Sequence, residues 1–337
     1  MSGEAPRKRV RLNAEDGKDD LEQPQADGCT ADAEFWFDDG NIILEAKSTQ
    51  FKVYKGPLIE HSPFFRDMLS LPQPQPEDAT TSGAPHVVPL AESPEDLRHL
   101  LRAIMPSKRI RSFIPPERPF HAISACIRLG HKYQIDGLVE EGLKYLRTFY
   151  PDDYFTLEKR RREEAPSTIC AIGVVNIARL TGADYLLPVA LVECCRLGSD
   201  IVEGLRREDD TIESLSTADL GRCFEAKQKL IETRVEAAFD IFDGEPSEDC
   251  SAREKDTEHL RELHTDLSQT LSHRLCSPDV LERWWPSLSH YVPPLCAECD
   301  GMLRQADRDR QRAIFHHLPE LVGVDVEGWK KKNRMPM

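Results

Sequence analysis

Phe51-Lys52-Val53-Tyr54-Lys55-Gly56-Pro57-Leu58, followed by Ser62-Pro63-Phe64-Phe65-Arg66-Asp67-Met68-Leu69, decides the fold. Phe51 and Val53 alternate with Lys52 and Tyr54, the period of a half-buried strand. Just upstream, Ile42, Leu44 and Ala46 alternate with Ile43, Glu45 and Lys47, and Ser48-Thr49 reads as a short turn. Two such runs joined by so short a link predict a β-hairpin. Gly56-Pro57 then opens helical text. Ser62 is placed to cap a second helix whose first position is Pro63, where its missing N–H costs nothing. Phe64, Phe65, Met68 and Leu69 fall on one face of that helix.

Reading outward from there, Pro72 through Gly83 is loop by composition, and His86-Val87-Val88-Pro89-Leu90 is a short strand. Pro89 cannot donate to a ladder, so this strand ends there or lies on an edge. Ser93-Pro94-Glu95-Asp96 starts another helix, in which Leu97, Leu100, Leu101, Ile104 and Met105 follow at helical spacing. Beyond the proline-rich run Ile114–Pro119, Ile123, Cys126, Ile127 and Gly130 share one helical face and Leu138, Val139, Leu143 and Leu146 another. The order is β-β-α-α-β-α-α-α over residues 34–150, with Phe51, Val53, Leu58, Phe65, Leu100 and Ile127 expected in the core.

Residues 1–33 are polar and cannot bury enough surface to offset their ordering entropy, which predicts a disordered tail. Within it, Arg7-Lys8-Arg9-Val10-Arg11 reads either as a nuclear import signal or as a solvated charge run. Residues 151–166, with Glu158-Lys159-Arg160-Arg161-Arg162-Glu163-Glu164, read as a charged linker or exposed helix. Residues 167–337 read as a mostly α-helical region, with helical segments at 167–180, 184–197, 217–233, 254–273 and 303–317. The fold class is therefore α+β, a small sheet with a helical cluster followed by helices.

The 337 residues carry 44 Lys plus Arg against 59 Asp plus Glu, a net charge of -15, which disfavours binding to a polyanion such as nucleic acid. No apolar run approaches the ~20 residues of a membrane span. The N-terminus has no apolar stretch behind its basic cluster, so it does not read as a secretory signal. Ten irregularly spaced cysteines without such a signal read as reduced thiols, placing the protein in the nucleus or cytoplasm. Phosphate-loop, dinucleotide-binding, zinc-protease and nucleophile-elbow motifs are all absent, so no enzymatic activity is expected.

Residues 35–150 resemble a BTB/POZ domain. The resemblance rests on Asp39-Gly40-Asn41-Ile42-Ile43-Leu44, on the two stretches quoted first, and on Ala125-Cys126-Ile127-Arg128-Leu129-Gly130-His131-Lys132-Tyr133-Gln134-Ile135. Tyr54 stands where that family usually has a histidine. Farther on, Ile172–Ala183, Leu186–Ala190, Cys194-Cys195, Leu295–Cys299 and His317–Gly323 are similar to the helical half of basidiomycete-type fungal BTB proteins. The resemblance implies a non-catalytic protein–protein interaction module associating with itself or with other proteins. A ubiquitin-ligase substrate adaptor on a cullin-type scaffold is one form of it. The alternative is a nuclear transcriptional or chromatin regulator using basic termini, Arg7–Arg11 and Lys330-Lys331-Lys332-Asn333-Arg334. Asp39 matches an aspartate near the family's dimer interface, though Asp-Gly is also ordinary turn chemistry. If a dimer forms, the contact is expected near Leu58, Phe64 and Met68.

Cys296-x-x-Cys299 has the spacing at which two thiolates reach one zinc ion. A closed site needs two more ligands, and the candidates are Cys250, Cys276, His259 and His264. The two histidines are five apart, which points them in different directions on a helix, and no second paired motif exists. The expectation is no cofactor and packed thiols, with a structural zinc as the alternative. Cys194-Cys195 reads as core packing. Trp284-Trp285 reads as a buried anchor, with an exposed partner-binding pair as the alternative. Asp152-Asp153 and Asp209-Asp210 read as solvated loop acids.

Overall fold

The computed structural model describes residues 28–71, 85–106, 119–160, 167–242, 245–269, 275–285 and 294–333. The N-terminal tail through residue 27, including Arg7–Arg11, lies outside them. The chain is α+β: the described residues form a four-stranded mixed sheet, a small two-stranded hairpin and many helices.

Strand β1 covers Thr30–Trp36, β2 Ile42–Ala46 and β3 Thr49–Val53. β2 and β3 form the expected antiparallel hairpin, with Ile42 opposite Val53 and Leu44 opposite Phe51. Its turn is Lys47-Ser48, one residue earlier than expected, with Lys47 at φ 52°. β4, His86–Leu90, lies parallel to β2 at the sheet edge, which is where Pro89 belongs. The sheet order is β1-β3-β2-β4.

β1 is a correction, because residues 30–33 fell in the polar tail by composition. What holds them is Asp32, which is buried in the fold. Its Oδ1 accepts from the amides of Glu34 (3.0 Å) and Phe35 (2.9 Å), and its Oδ2 accepts from Arg98 Nε (2.6 Å). A side chain that takes amides from its own strand shifts the pairing, and the β1–β3 register changes between Ala31 and Trp36.

Helices α1, Lys55–His61, and α2, Pro63–Ser70, meet at Ser62. Its buried hydroxyl accepts from Phe65 N (3.1 Å) and donates to Tyr133 O (2.6 Å), so one side chain caps α2 and ties it to the helical cluster. That cluster is α3, Pro94–Ile104, α4, Phe120–Lys132, and α5, Asp136–Phe149. Gly142 on α5 is required by close packing: a Cβ there would sit 2.4 Å from Ile127 Cγ1.

The helical half does not hang from a tether. α4 serves two cores. Cys126 and Leu129 join β2, β3, Phe65 and α3 in the first, while Phe120, Ile123 and Ile127 join the second. The second core runs through α7, Ala171–Thr181, α8, Leu187–Arg196, and α10, Thr217–Phe242. Between α4 and α10 the chain also forms α6, Tyr154–Arg160, and α9, Asp200–Glu203. α6 occupies half of the expected linker, because Leu157 is buried in the second core. Asp152 is likewise buried rather than solvated. It holds Arg147 Nε (2.7 Å) and Lys332 Nζ (2.5 Å), and these bonds, against the opposing effect of burial, keep its carboxyl below the usual range.

Two further features depart from the helical expectation. β5, Leu205–Arg206, and β6, Ile212–Glu213, form a small hairpin. A third, smaller core joins the end of α10 to α11, Arg253–Gln269, around Leu260, Leu263, Trp284, Trp285 and Leu303. The long helix α12, Ala297–Leu321, is capped by Cys296 and begins at Ala297 rather than at residue 303, and α13, Trp329–Lys332, is the last described helix.

Candidate functional site

Three segments converge beside the third core. The loop after α10 brings Cys250, the first turn of α11 brings Asp256, and the start of α12 brings Cys296 and Cys299. One ligand atom from each lies within 4.8 Å of every other. Cys250 Sγ is 3.6 Å from Cys296 Sγ and donates to Asp256 Oδ2 at 3.3 Å. Cys296 caps α12, its sulfur accepting from Cys299 N at 3.5 Å. The Cys296 amide donates to Asp256 Oδ2 (3.1 Å), and the Ser247 amide to Cys299 Sγ (3.4 Å). Cys299 and Asp256 are buried, while Cys250 and Cys296 are half-buried.

Burial alone would raise the Asp256 carboxyl. Hydrogen bonds from the thiol and amide of Cys296 and from the thiols of Cys299 and Cys250 outweigh it and hold the group at about 2. Burial pushes the Cys299 thiol well above the usual thiol range, and that of Cys250 upward as well. Three sulfurs and a carboxylate converge on one point, and this Cys/Asp cluster could hold a metal ion.

Of the residues expected as ligands, Cys250, Cys296 and Cys299 come together, and Cys276 is exposed elsewhere. His264 packs against the Phe239 ring, and neither it nor His259 joins the cluster. Asp256 escaped sequence reasoning, which weighed only cysteine and histidine. The available signal was its place in the first turn of a helix, six residues after Cys250.

The expected contact residues are not all at the surface. Leu58 is a correction: it is fully buried in the first core, on the inner side of α1, and cannot touch a partner. Phe64 is 37% exposed and Met68 half-buried; with Leu71, 63% exposed, they lie at i, i+4 and i+7 along and just past α2. The Phe64 ring rests on Tyr133, with centroids 5.4 Å apart. Asp39 is exposed and accepts from the Tyr54 hydroxyl at 2.6 Å. The phenol therefore makes a bond at the position where the resembled family carries a histidine. Its pKa is raised, first by that bond.

Trp284 and Trp285 are buried. Asp307 accepts from both their amides (3.2 Å each), the Trp285 indole donates to Asp300, and Arg234 lies 4.0 Å over the Trp284 ring. Cys194 and Cys195 are core residues. In the basic run near the C-terminus Lys330 pairs with Glu320 and Lys332 with Asp152, while Arg334 lies outside the described residues. Among the described residues no helix is long and apolar enough to cross a membrane. Comparison of the chain with protein-family models, with curated proteins and with solved structures finds no match in any of the three.

Proposed function

We propose that the chain is a non-catalytic protein–protein association module, with a BTB/POZ-type unit at residues 30–150 buttressed by the helical half. The observation that carries this reading is the apolar stripe of Phe64, Met68 and Leu71 on α2, partly open to solvent on a helix whose other face is locked into the core through Phe65 and Ser62. A rigid helix presenting spaced apolar side chains is the form a helix-mediated protein contact takes. Support for the BTB/POZ reading comes from the element order, a hairpin, two short helices, an edge strand and a helical cluster, together with the motifs quoted above.

The sheet edge beside β3 is filled by the chain's own β1, so association through α2 needs no strand exchange. Within this reading a cullin-type scaffold is the partner class that the resemblance names, and a second copy of the chain the other. A metal held by Cys250, Asp256, Cys296 and Cys299 would be structural in such a module, because four protein ligands leave no open position. Of the basic residues that the regulator reading would use, Lys330 and Lys332 are engaged by carboxylates, which supports the association reading over it.

Affinity purification of the full chain, with Phe64→Asp/Met68→Asp as comparison, tests the proposal. Specific partners are expected with the wild type and lost with the variant, cullin and ubiquitin components marking the adaptor form. Identical sets of captured proteins from the two would refute it.

A further inference from the structure

The cluster beside the third core has the dimensions of a closed tetrahedral site. Zinc binds sulfur at about 2.3 Å and carboxylate oxygen at about 2.0–2.2 Å. A tetrahedron with those bonds has S···S edges of about 3.8 Å and S···O edges of about 3.5–3.7 Å. The observed Cys250–Cys296 and Cys250–Asp256 separations are 3.6 and 3.3 Å, with every other pair inside 4.8 Å.

A second, independent observation points to a ligand. Asp256 is fully buried, and its Oδ1 has no hydrogen-bond partner. Leaving a buried carboxylate oxygen without a partner is unfavourable, because its desolvation is not offset. No lysine or arginine among the described residues pairs with Asp256; its Oδ2 accepts from the Cys250 thiol and the Cys296 amide. The nearby Arg253 reaches Glu245 instead. Among the described residues, no cationic side chain balances this carboxylate.

The surroundings suit anionic ligands. The first turn of α11 carries Asp256, and the N-cap of α12 is Cys296 itself, so two helix N-termini aim their positive ends at the cluster. The Ser247 and Cys299 amides already point at sulfur, as outer-shell donors do around metal-bound thiolates. Three thiolates and one carboxylate bring the same charge as a four-cysteine site. Thiolates select a soft or borderline ion over calcium or magnesium.

We propose that Cys250, Asp256, Cys296 and Cys299 bind one zinc ion in a closed structural site that pins the loop after α10 to the starts of α11 and α12. This does not depend on the association reading. On binding, the three thiols lose their protons to solvent. The ion staples a small core that has limited apolar area of its own.

Metal analysis of the full chain purified with reductant should find about one zinc per molecule. Protein stripped by chelation and titrated with Co²⁺ alone should develop thiolate-to-cobalt charge transfer and the strong visible bands of tetrahedral coordination, both reversed by Zn²⁺. Cys296→Ser and Cys299→Ser should abolish the spectrum, and Cys276→Ser should leave it unchanged. Asp256→Asn should keep the charge-transfer band of three thiolates while weakening affinity at least about tenfold, the smallest loss expected for a group at or next to the metal. This last variant keeps the test informative if a cysteine variant fails to fold. Protein that carries no zinc and gives no cobalt spectrum would overturn the site. So would Asp256→Asn binding as tightly as the wild type, or a Cys250–Cys296 disulfide in protein isolated with zinc present.

Discussion

Asp219 on α10 is the most informative single residue to perturb. Its side chain is only 4% exposed and holds two arginines. Arg179 of α7 approaches as a fork, Nη2 to Oδ1 at 2.7 Å and Nε to Oδ2 at 3.3 Å, while Arg222 Nη1 donates at 2.9 Å. Ser216 Oγ donates to Oδ2 at 3.0 Å and accepts from the Asp219 amide at 3.1 Å, which closes the start of α10. The carboxylate therefore latches α7 to α10 across the second core. A hydrogen bond to a charged group contributes about 1.5–3 kcal/mol, and breaking a fully buried pair costs about 3–5 kcal/mol. Arg179 is 38% exposed and regains water when its partner goes, so Asp219→Ala should cost about 2–4 kcal/mol. Burial opposes ionisation of Asp219, but Arg179, Ser216 and Arg222 prevail and hold it below its ordinary 3.8. A group depressed in the folded state stabilises above its unfolded pKa and loses that contribution as pH falls through the folded value. The gap between wild type and Asp219→Ala should be flat from about pH 7 to 5 and narrow below about 4. Urea denaturation followed by far-ultraviolet circular dichroism across that range is the assay. A gap under about 0.5 kcal/mol at neutral pH, the size of an ordinary surface change, would refute the latch. A gap that stays constant into acid would show that the lost energy is packing rather than charge.

Other expectations follow from the same structure. Leu100 is fully buried in the first core, so Leu100→Ala should lower stability by about 2–5 kcal/mol in the same urea experiment. Tyr54 should titrate above the ordinary phenol range in an ultraviolet pH titration, and Asp39→Asn should return it toward that range without altering the fold. Limited proteolysis at the charged stretch 161–166 should leave two fragments that co-elute on gel filtration, because α4 and α5 lie in a core shared with α7, α8 and α10; rapid release of a stable 30–150 piece would contradict that packing.

The hairpin, the Ser62 and Ser93 caps, and the amphipathic faces of α3, α4 and α5 were legible in the sequence, because alternation, helical spacing and capping act between residues a few positions apart. The buried positions Phe51, Val53, Phe65, Leu100 and Ile127 follow from that spacing alone. What escaped depends on distant partners. β1 is interrupted by an aspartate that becomes acceptable only when Arg98 reaches it, and Asp152 looks solvated until Lys332 arrives from 180 residues away. Leu58 was rightly read as core and wrongly also as a contact, because periodicity tells which residues share a face but not which face the tertiary fold covers. The cluster divides in the same way. Cys296-x-x-Cys299 is visible as spacing, but Cys250 comes from 46 positions before Cys296, and Asp256 is one of 59 acidic residues with nothing local to distinguish it. Only the packing of α10, α11 and α12 around the third core brings those four side chains to one point, because the positions of ligands so far apart in the chain are set by how helices pack and not by the residues beside them.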